Sequence, residues 1–209
     1  MAVADKPEKM TAREVRRLQT RERLLGAATA EFKRTGMAQA DVGAIVAAAG
    51  VAHGTFFFHF PTKEHVLLEL ERREEERIAK QFEKFLSAPQ DLSGILAESA
   101  RLVIDLESRL GDPLFTEFLA LHFSPTRPSA ENGEHHPLIV LIAECIERAR
   151  QRGEVDGDVV AMNSAVFYLL GLYALLITTH DWPSRPELVA DYLTRTLRGL
   201  GVRRPPESH

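Results

Sequence analysis

DVGAIVAAAGVAHGTFFFHF, residues 41–60, is the stretch on which the fold turns. Asp41 is a good N-cap, because its carboxylate can accept from backbone N–H groups that have no partner within a helix, so a short helix starts after it. That helix ends before Gly50, and Ala47, Ala48 and Ala49 keep it thin enough for another helix to cross closely. Gly50 carries the backbone through a turn and Val51 plugs the angle behind it. A further short helix fits within Val51 to Phe60, and Pro61-Thr62 breaks it. Two short helices across a glycine-containing turn have the layout of a helix-turn-helix.

Helical spacing continues on both sides. Leu24, Leu25, Ala28 and Phe32 form one apolar stripe, which places a first helix over about residues 11–34, stopping at Gly36. A fourth helix begins near Lys63 and runs to about Leu86, with Leu67, Leu70, Ile78, Phe82 and Phe85 inward and the run Arg72 to Arg77 read as a solvated charged face. Further helices are expected over about 92–110, closed by Gly111, over 113–123 with Asp112 as N-cap, and over 137–152, closed by Gly153. Residues 124–136, with Pro125, Pro128 and Gly133, read as a loop. Ser184-Arg185-Pro186-Glu187 reads as a capping box that opens the last helix. Nothing alternates with period two for long, so the expected fold class is all-α. The expected domains are a disordered tail over 1–10, a helix-turn-helix domain over 11–66, a helical effector-binding and dimerisation domain over 67–203, and a tail over 204–209. No Gly/Ser/Pro linker interrupts the fourth helix, along which the boundary should lie.

Residues 159–179 carry no formal charge. Their length would span a bilayer, but Asn163, Ser164, Tyr168, Tyr173, Thr178 and Thr179 are polar for a span and no Lys/Arg cluster flanks them, so no membrane is expected. An all-round apolar helix needs cover on more than one face, and a second copy of the chain supplies it. Gly171 and Ala174 would let another helix approach. The last two helices, paired with their copies, would form a four-helix bundle and a homodimer.

The formal net charge of −4 hides a division. Residues 1–65 hold ten Lys/Arg against seven acids, a net of +3, which leaves −4 − 3 = −7 for the rest. A basic head on an acidic body suits phosphate contact by one end only. The polar N-terminus does not look like a secretory signal, and the single cysteine, Cys145, permits no disulfide within the chain, so the expected location is cytoplasmic.

Residues 21–68, RERLLGAATAEFKRTGMAQADVGAIVAAAGVAHGTFFFHFPTKEHVLL, resemble the DNA-binding domain of the TetR family of transcriptional regulators. The resemblance rests on the Ala48-Ala49-Gly50-Val51 turn, the Gly54-Thr55-aromatic run ending His59-Phe60, and Thr62-Lys63-Glu64. It implies a repressor that binds a palindromic double-stranded operator as a dimer, with the third helix in the major groove. It also implies that His53, Gly54, Thr55 and Phe57 lie near base edges, and Phe58, His59 and Lys63 near the backbone. Lys63 opens a helix whose free N–H groups also favour phosphate. Arg17 and Arg21, in the basic front half of the first helix, are further candidates for backbone or minor-groove contact, against the plainer reading of a solvated helix face. Phe56 and Phe60 read as core. Phe57 and Phe58 stand where the family usually has a polar-tipped aromatic; they either touch DNA through apolar surface or pack inside. With Gly43 in place of a common Arg, they leave open the alternative of the same fold without DNA binding, or without a small-molecule ligand and controlled by a protein partner.

The family's architecture also implies a small, hydrophobic effector. Phe115, Phe118, His122, Cys145, Phe167 and Tyr168 are the ligand-binding candidates, supplying apolar surface with a few polar tips; ordinary core is the competing reading of each. No cofactor and no metal are expected: His135, His136 and Cys145 lack a further ligand at metal spacing, and His53, His59 and His65 do not share a helical face. There is no phosphate loop, nucleophile elbow or HExxH, so the chain is not read as an enzyme.

Overall fold

The computed structural model describes residues 11–122, 124 and 136–202. Among them are nine α-helices and no strand: α1 (Ala12–Thr35), α2 (Val42–Ala49), α3 (His53–His59), α4 (Lys63–Leu86), α5 (Leu92–Leu110), α6 (Asp112–His122), α7 (Pro137–Gln151), α8 (Ala161–Thr178) and α9 (Arg185–Gly199). The all-α reading holds. The chain divides into two compact units, residues 1–70 and 71–209, with the division inside α4. The tails, Phe123, the segment 125–135 and His135 within it lie outside the described residues.

In the N-terminal unit α1 is opened by a capping box: the Glu14 amide donates to the Thr11 hydroxyl (3.3 Å), while Glu14 Oε2 accepts from the Thr11 amide (2.7 Å). Its stripe of Leu24, Leu25, Ala28 and Phe32 is buried, together with Ile45, Val46 and Ala49 of α2, Phe56 and Phe60 around α3, and Val66, Leu67 and Leu70 of α4. Asp41 caps α2 as expected, accepting from the Gly43 amide at 2.8 Å and the Ala44 amide at 3.3 Å. At the other end Gly50 stands at φ 65°, ψ 44°, a left-handed conformation that strains any residue with a Cβ. Its amide donates to Ala47 O (3.1 Å) and that of Val51 to Val46 O (3.0 Å). This pair of bonds is a Schellman motif, which satisfies two carbonyls at the end of α2 and redirects the chain. α3 leaves α2 at 95°, within the range of about 90–120° that defines a helix-turn-helix.

The C-terminal unit is built on α5, whose inner face (Leu96, Ala100, Leu102, Val103 and Leu106) is buried. Phe115 and Leu114 of α6, Ile142 and Ile146 of α7, and Leu169, Leu172 and Leu176 of α8 complete the core. Three polar devices pin it. Tyr168 OH lies 2.7 Å from Leu96 O and 2.9 Å from Ser99 Oγ, so a buried hydroxyl pair ties α8 to α5. Burial raises the Tyr168 ionisation well above its ordinary value, so it acts only as a neutral hydroxyl. Arg185, the first residue of α9, donates to the buried Glu107 of α5. Tyr192 of α9 donates to Tyr168 O at 2.5 Å.

That last contact corrects one expectation. Gly171 does admit a close neighbour, but it is the Tyr192 ring of the same chain: a Cβ at 171 would collide with the phenol oxygen. Gly171→Ala is therefore expected to push α9 off α8 and cost about 1–3 kcal/mol, read as a lowered thermal midpoint, whereas Tyr192→Phe/Gly171→Ala should recover part of that loss. Two other local expectations also change. Ser184 makes no capping bond, because its backbone (φ −85°, ψ 8°) is not extended and does not aim the hydroxyl at the helix amides. Asp112 is the first residue of α6 rather than its cap. The uncharged α8 is not covered on every side within one chain: Met162, Phe167 and Leu170 are exposed, as is Val160 just before it. No residue of α9 is fully buried.

Candidate DNA-binding face and effector cavity

α3 has one inward side and one outward side. Phe56 and Phe60 are at most 1% exposed and close the core of the unit, as expected. Phe57 and Phe58 are 48% and 72% exposed, so the packed alternative for these two rings does not hold. His53 and Gly54 are exposed beside them, His53 lying 5.6 Å from the Phe57 ring, while Thr55 and His59 are half-buried. Exposed phenylalanines on a seven-residue helix leave apolar surface in water, which is unusual unless something covers it.

The cations around α3 fall into two groups. Arg21 is bound within the fold: it donates to His59 O (2.7 Å), caps the end of α3, reaches Glu69 of α4 at 3.2 Å and lies 4.3 Å from the centre of the Phe60 ring. Lys63 donates to Met37 O at 2.7 Å, Ala38 O at 3.0 Å and Ala40 O at 3.4 Å, so its ammonium closes the α1–α2 connection. The sequence signal for that role was faint: carbonyls at the end of a glycine-terminated helix, and a lysine 23 to 26 positions away. Arg17, by contrast, is exposed and stands 5.9 Å from the Phe58 ring, while Arg13, Arg16 and Arg23 are exposed along α1. Burial, then the charges of Arg21 and Arg17, hold the His59 imidazole below its ordinary range, so it is neutral at neutral pH.

The six ligand candidates do not converge. Phe115, Phe118, Cys145 and Tyr168 are buried, Phe167 is 70% exposed, and His122 closes α6. Phe118 lines a small, partly open cavity of about 30 Å³ with Ile78, Leu106, Leu119, Leu138, Leu169, Glu75, His136 and Tyr173. Cys145 instead borders an open groove of about 1090 Å³ where the ends of α4 and α7 meet the start of α5. That groove is studded with Glu83, Asp91, Glu144, Glu154, Arg148 and Arg152. Effector sites are mostly apolar, which favours the small cavity by its lining, while the groove is the one with the volume of a ligand. Burial raises the Cys145 thiol above its ordinary value despite Arg148 beside it, so it is no thiolate nucleophile.

Tyr173, which the sequence offers as apolar pocket surface with a polar tip, does line the cavity; the residues missed from sequence are Glu75 and His136. Glu75 sits in the run read as a solvated face, yet α4 turns part of that run inward. Glu74 meets Arg109 at 2.6 Å, Glu75 Oε1 lies 3.4 Å from His136 Nδ1, and Glu71 is 1% exposed. Period counting could have found Glu71, Glu74 and Ile78, which share a helical face three and four residues apart.

Residues 24–70 match the family model described as bacterial regulatory proteins, tetR family. No curated protein matches the chain in sequence. Among solved structures, the chain is similar to Thermus thermophilus FadR, a TetR-family transcriptional repressor in complex with lauroyl-CoA, at 26% identity and a TM-score of 0.65 over 90% of this chain and 99% of that one. Bacillus subtilis FadR in complex with stearoyl-CoA gives 17% identity and 0.68 over 85% and 98%. RolR in complex with resorcinol gives 19% and 0.67 over 90% and 91%. Residues 24–70 thus carry the sequence signature of the tetR family of bacterial regulatory proteins, and the chain is similar in fold over most of its length to regulators of that family.

Proposed function

We propose that the chain is a cytoplasmic repressor that binds a palindromic operator as a homodimer and is released by a small, hydrophobic ligand. The observation that carries DNA binding is the outward side of α3. His53, Gly54, Phe57 and Phe58 are presented to solvent by a two-helix turn whose caps and Schellman bonds fix its angle. In this reading His53, Gly54, Thr55 and Phe57 meet base edges, with Phe57 covering thymine methyl groups rather than hydrogen-bonding. Phe58, His59 and Arg17 follow the sugar-phosphate backbone, joined by the exposed Arg13 and Arg16. Arg21 and Lys63 act mainly by holding the elements that carry these contacts.

Selecting operators from a random DNA pool, followed by a salt titration, tests it. Affinity is expected to fall steeply with salt as phosphate neutralisation releases counterions; a flat dependence would refute DNA binding. Thr55→Ala should weaken the preferred site by about 1–3 kcal/mol and relax choice at one base position, whereas Lys63→Ala should weaken all sequences alike. Equal losses on chosen and random DNA for both variants would remove Thr55 from the base-reading set.

The dimer rests on the exposed apolar surface of α8 and on α9, which buries no residue fully within one chain. Phe167 is reassigned to this face. Phe167→Glu is expected to yield a monomer in sedimentation and to lose most operator affinity, because each half-site is then bound alone. A stable dimer of that variant would place the interface elsewhere. The ligand reading rests on the apolar lining of the small cavity and, by analogy, on the acyl-CoA and resorcinol complexes of similar structures.

A further inference from the structure

The cavity among α4, α5, α6, α7 and α8 has an electrostatic character that its apolar walls conceal. Most of the residues around it, among them Ile78, Leu106, Phe118, Leu119, Leu138 and Leu169, are aliphatic or aromatic. Its polar groups among the described residues are Glu75, His136 and Tyr173, and neither a lysine nor an arginine of the described residues lines it. One turn earlier on α4, Glu71 is 1% exposed. Burial first, and then the charges of Glu75 and Glu71, raise the Tyr173 ionisation far above the ordinary value. The neighbouring acid, Glu74, is already matched by Arg109. Glu75 has the weaker partner, a histidine nitrogen at 3.4 Å that carries charge only when protonated.

Resting on the reading of this cavity as the effector site, we propose that it takes a small aromatic or aliphatic amine, with the ammonium on the Glu75 carboxylate and the apolar body against Phe118 and Leu106. A charge placed against these apolar walls gains from being paired there, because the walls displace part of its hydration; the Glu75 side chain keeps only 25% of its exposure. A carboxylate or a phosphate-bearing thioester would bring a second negative charge beside Glu75, with Glu71 close behind and no lysine or arginine among the described lining residues to meet it. An ammonium supplies the missing positive charge. The void of about 30 Å³ holds roughly one water, so the amine enters by displacing His136 from Glu75 and shifting the Phe118 ring. The ligand's N–H donors then replace the imidazole as the partner of Glu75. In this respect the site differs from those of similar structures crystallised with lauroyl-CoA and stearoyl-CoA.

The test uses the full chain and a matched pair of probes, 4-phenylbutylamine and 4-phenylbutyrate, with lauroyl-CoA as a third, in calorimetry and thermal-shift measurements at constant salt. The amine is expected to bind at least tenfold tighter than the carboxylate and to raise the thermal midpoint. Glu75→Gln keeps the side chain's size while removing its charge, and should cut amine affinity at least tenfold. Binding of the butyrate or of lauroyl-CoA equal to or tighter than that of the amine would overturn the charge assignment and leave the effector cavity standing, as would an unchanged amine affinity in Glu75→Gln. No binding by any of the three probes would overturn the effector cavity and the proposal with it. The comparison of probes on the unaltered protein decides the matter even if Glu75→Gln fails to fold.

Discussion

Truncating Phe56 to alanine is expected to unfold the N-terminal unit and abolish operator binding. The ring is fully buried, packs edge-on to Phe57 at 5.3 Å and lies 6.1 Å from Phe60, within a core that also holds Phe32 and Leu24. Removing it leaves a cavity between helices too short to collapse around the gap. Losses of about 3–5 kcal/mol are typical for such a substitution. A unit of this size has little stability to spare, so the change should bring its denaturation midpoint below working temperature. Phe57→Ala is the control: its ring is 48% exposed, so stability should fall by no more than about 1 kcal/mol while DNA affinity still drops. Chemical denaturation followed alongside operator binding separates the two. A folded Phe56→Ala variant with ordinary affinity would contradict the division of α3 into an inward and an outward side.

That division shows what was legible in the sequence. The Asp41 cap, the Gly50 turn and the α1 stripe each follow from local chemistry, which short-range spacing records faithfully, and all three stand where expected. The fate of Phe57 and Phe58 was not legible, because four aromatics within five residues leave helical periodicity without contrast. The roles of Arg21 and Lys63 were hidden for another reason. Their partners are backbone carbonyls at His59 and at Met37 to Ala40, and a carbonyl has no sequence signature. In the C-terminal unit apolar residues mark core, but they do not say which of them surround a void. Phe115 and Tyr168 fill space, Phe118 borders a cavity and Phe167 faces outward, although composition ranks all four alike. The cavity's acid was misplaced because charge runs on long helices usually face water. Glu75 belongs to such a run on a helix that neighbours cover from more than one side.

The second large effect concerns Arg185 and Glu107. Arg185 opens α9, where a positive charge is opposed by the helix dipole and where Ser184 supplies no capping bond. The carboxylate of Glu107, with only 5% of its side chain exposed, is what makes the arrangement tolerable. The two partners should nevertheless respond unequally. Arg185→Ala leaves a carboxylate buried against α5 with its charge uncompensated, and is expected to cost about 3–5 kcal/mol, or about 6–20 °C in thermal midpoint for a chain of this length. Glu107→Ala should cost less, because the Arg185 side chain is 21% exposed and its flexible stem can carry the guanidinium outward to water. Replacing both, as Arg185→Met with Glu107→Leu, removes the desolvation penalty along with the attraction and should recover most of the loss. Because the pair anchors the start of α9, Arg185→Ala should also weaken the dimer in sedimentation, and the double variant should restore it. If both single variants lose stability equally and the double variant gains nothing back, the pair acts as one cohesive contact, and the asymmetry of burial between its partners has no energetic weight.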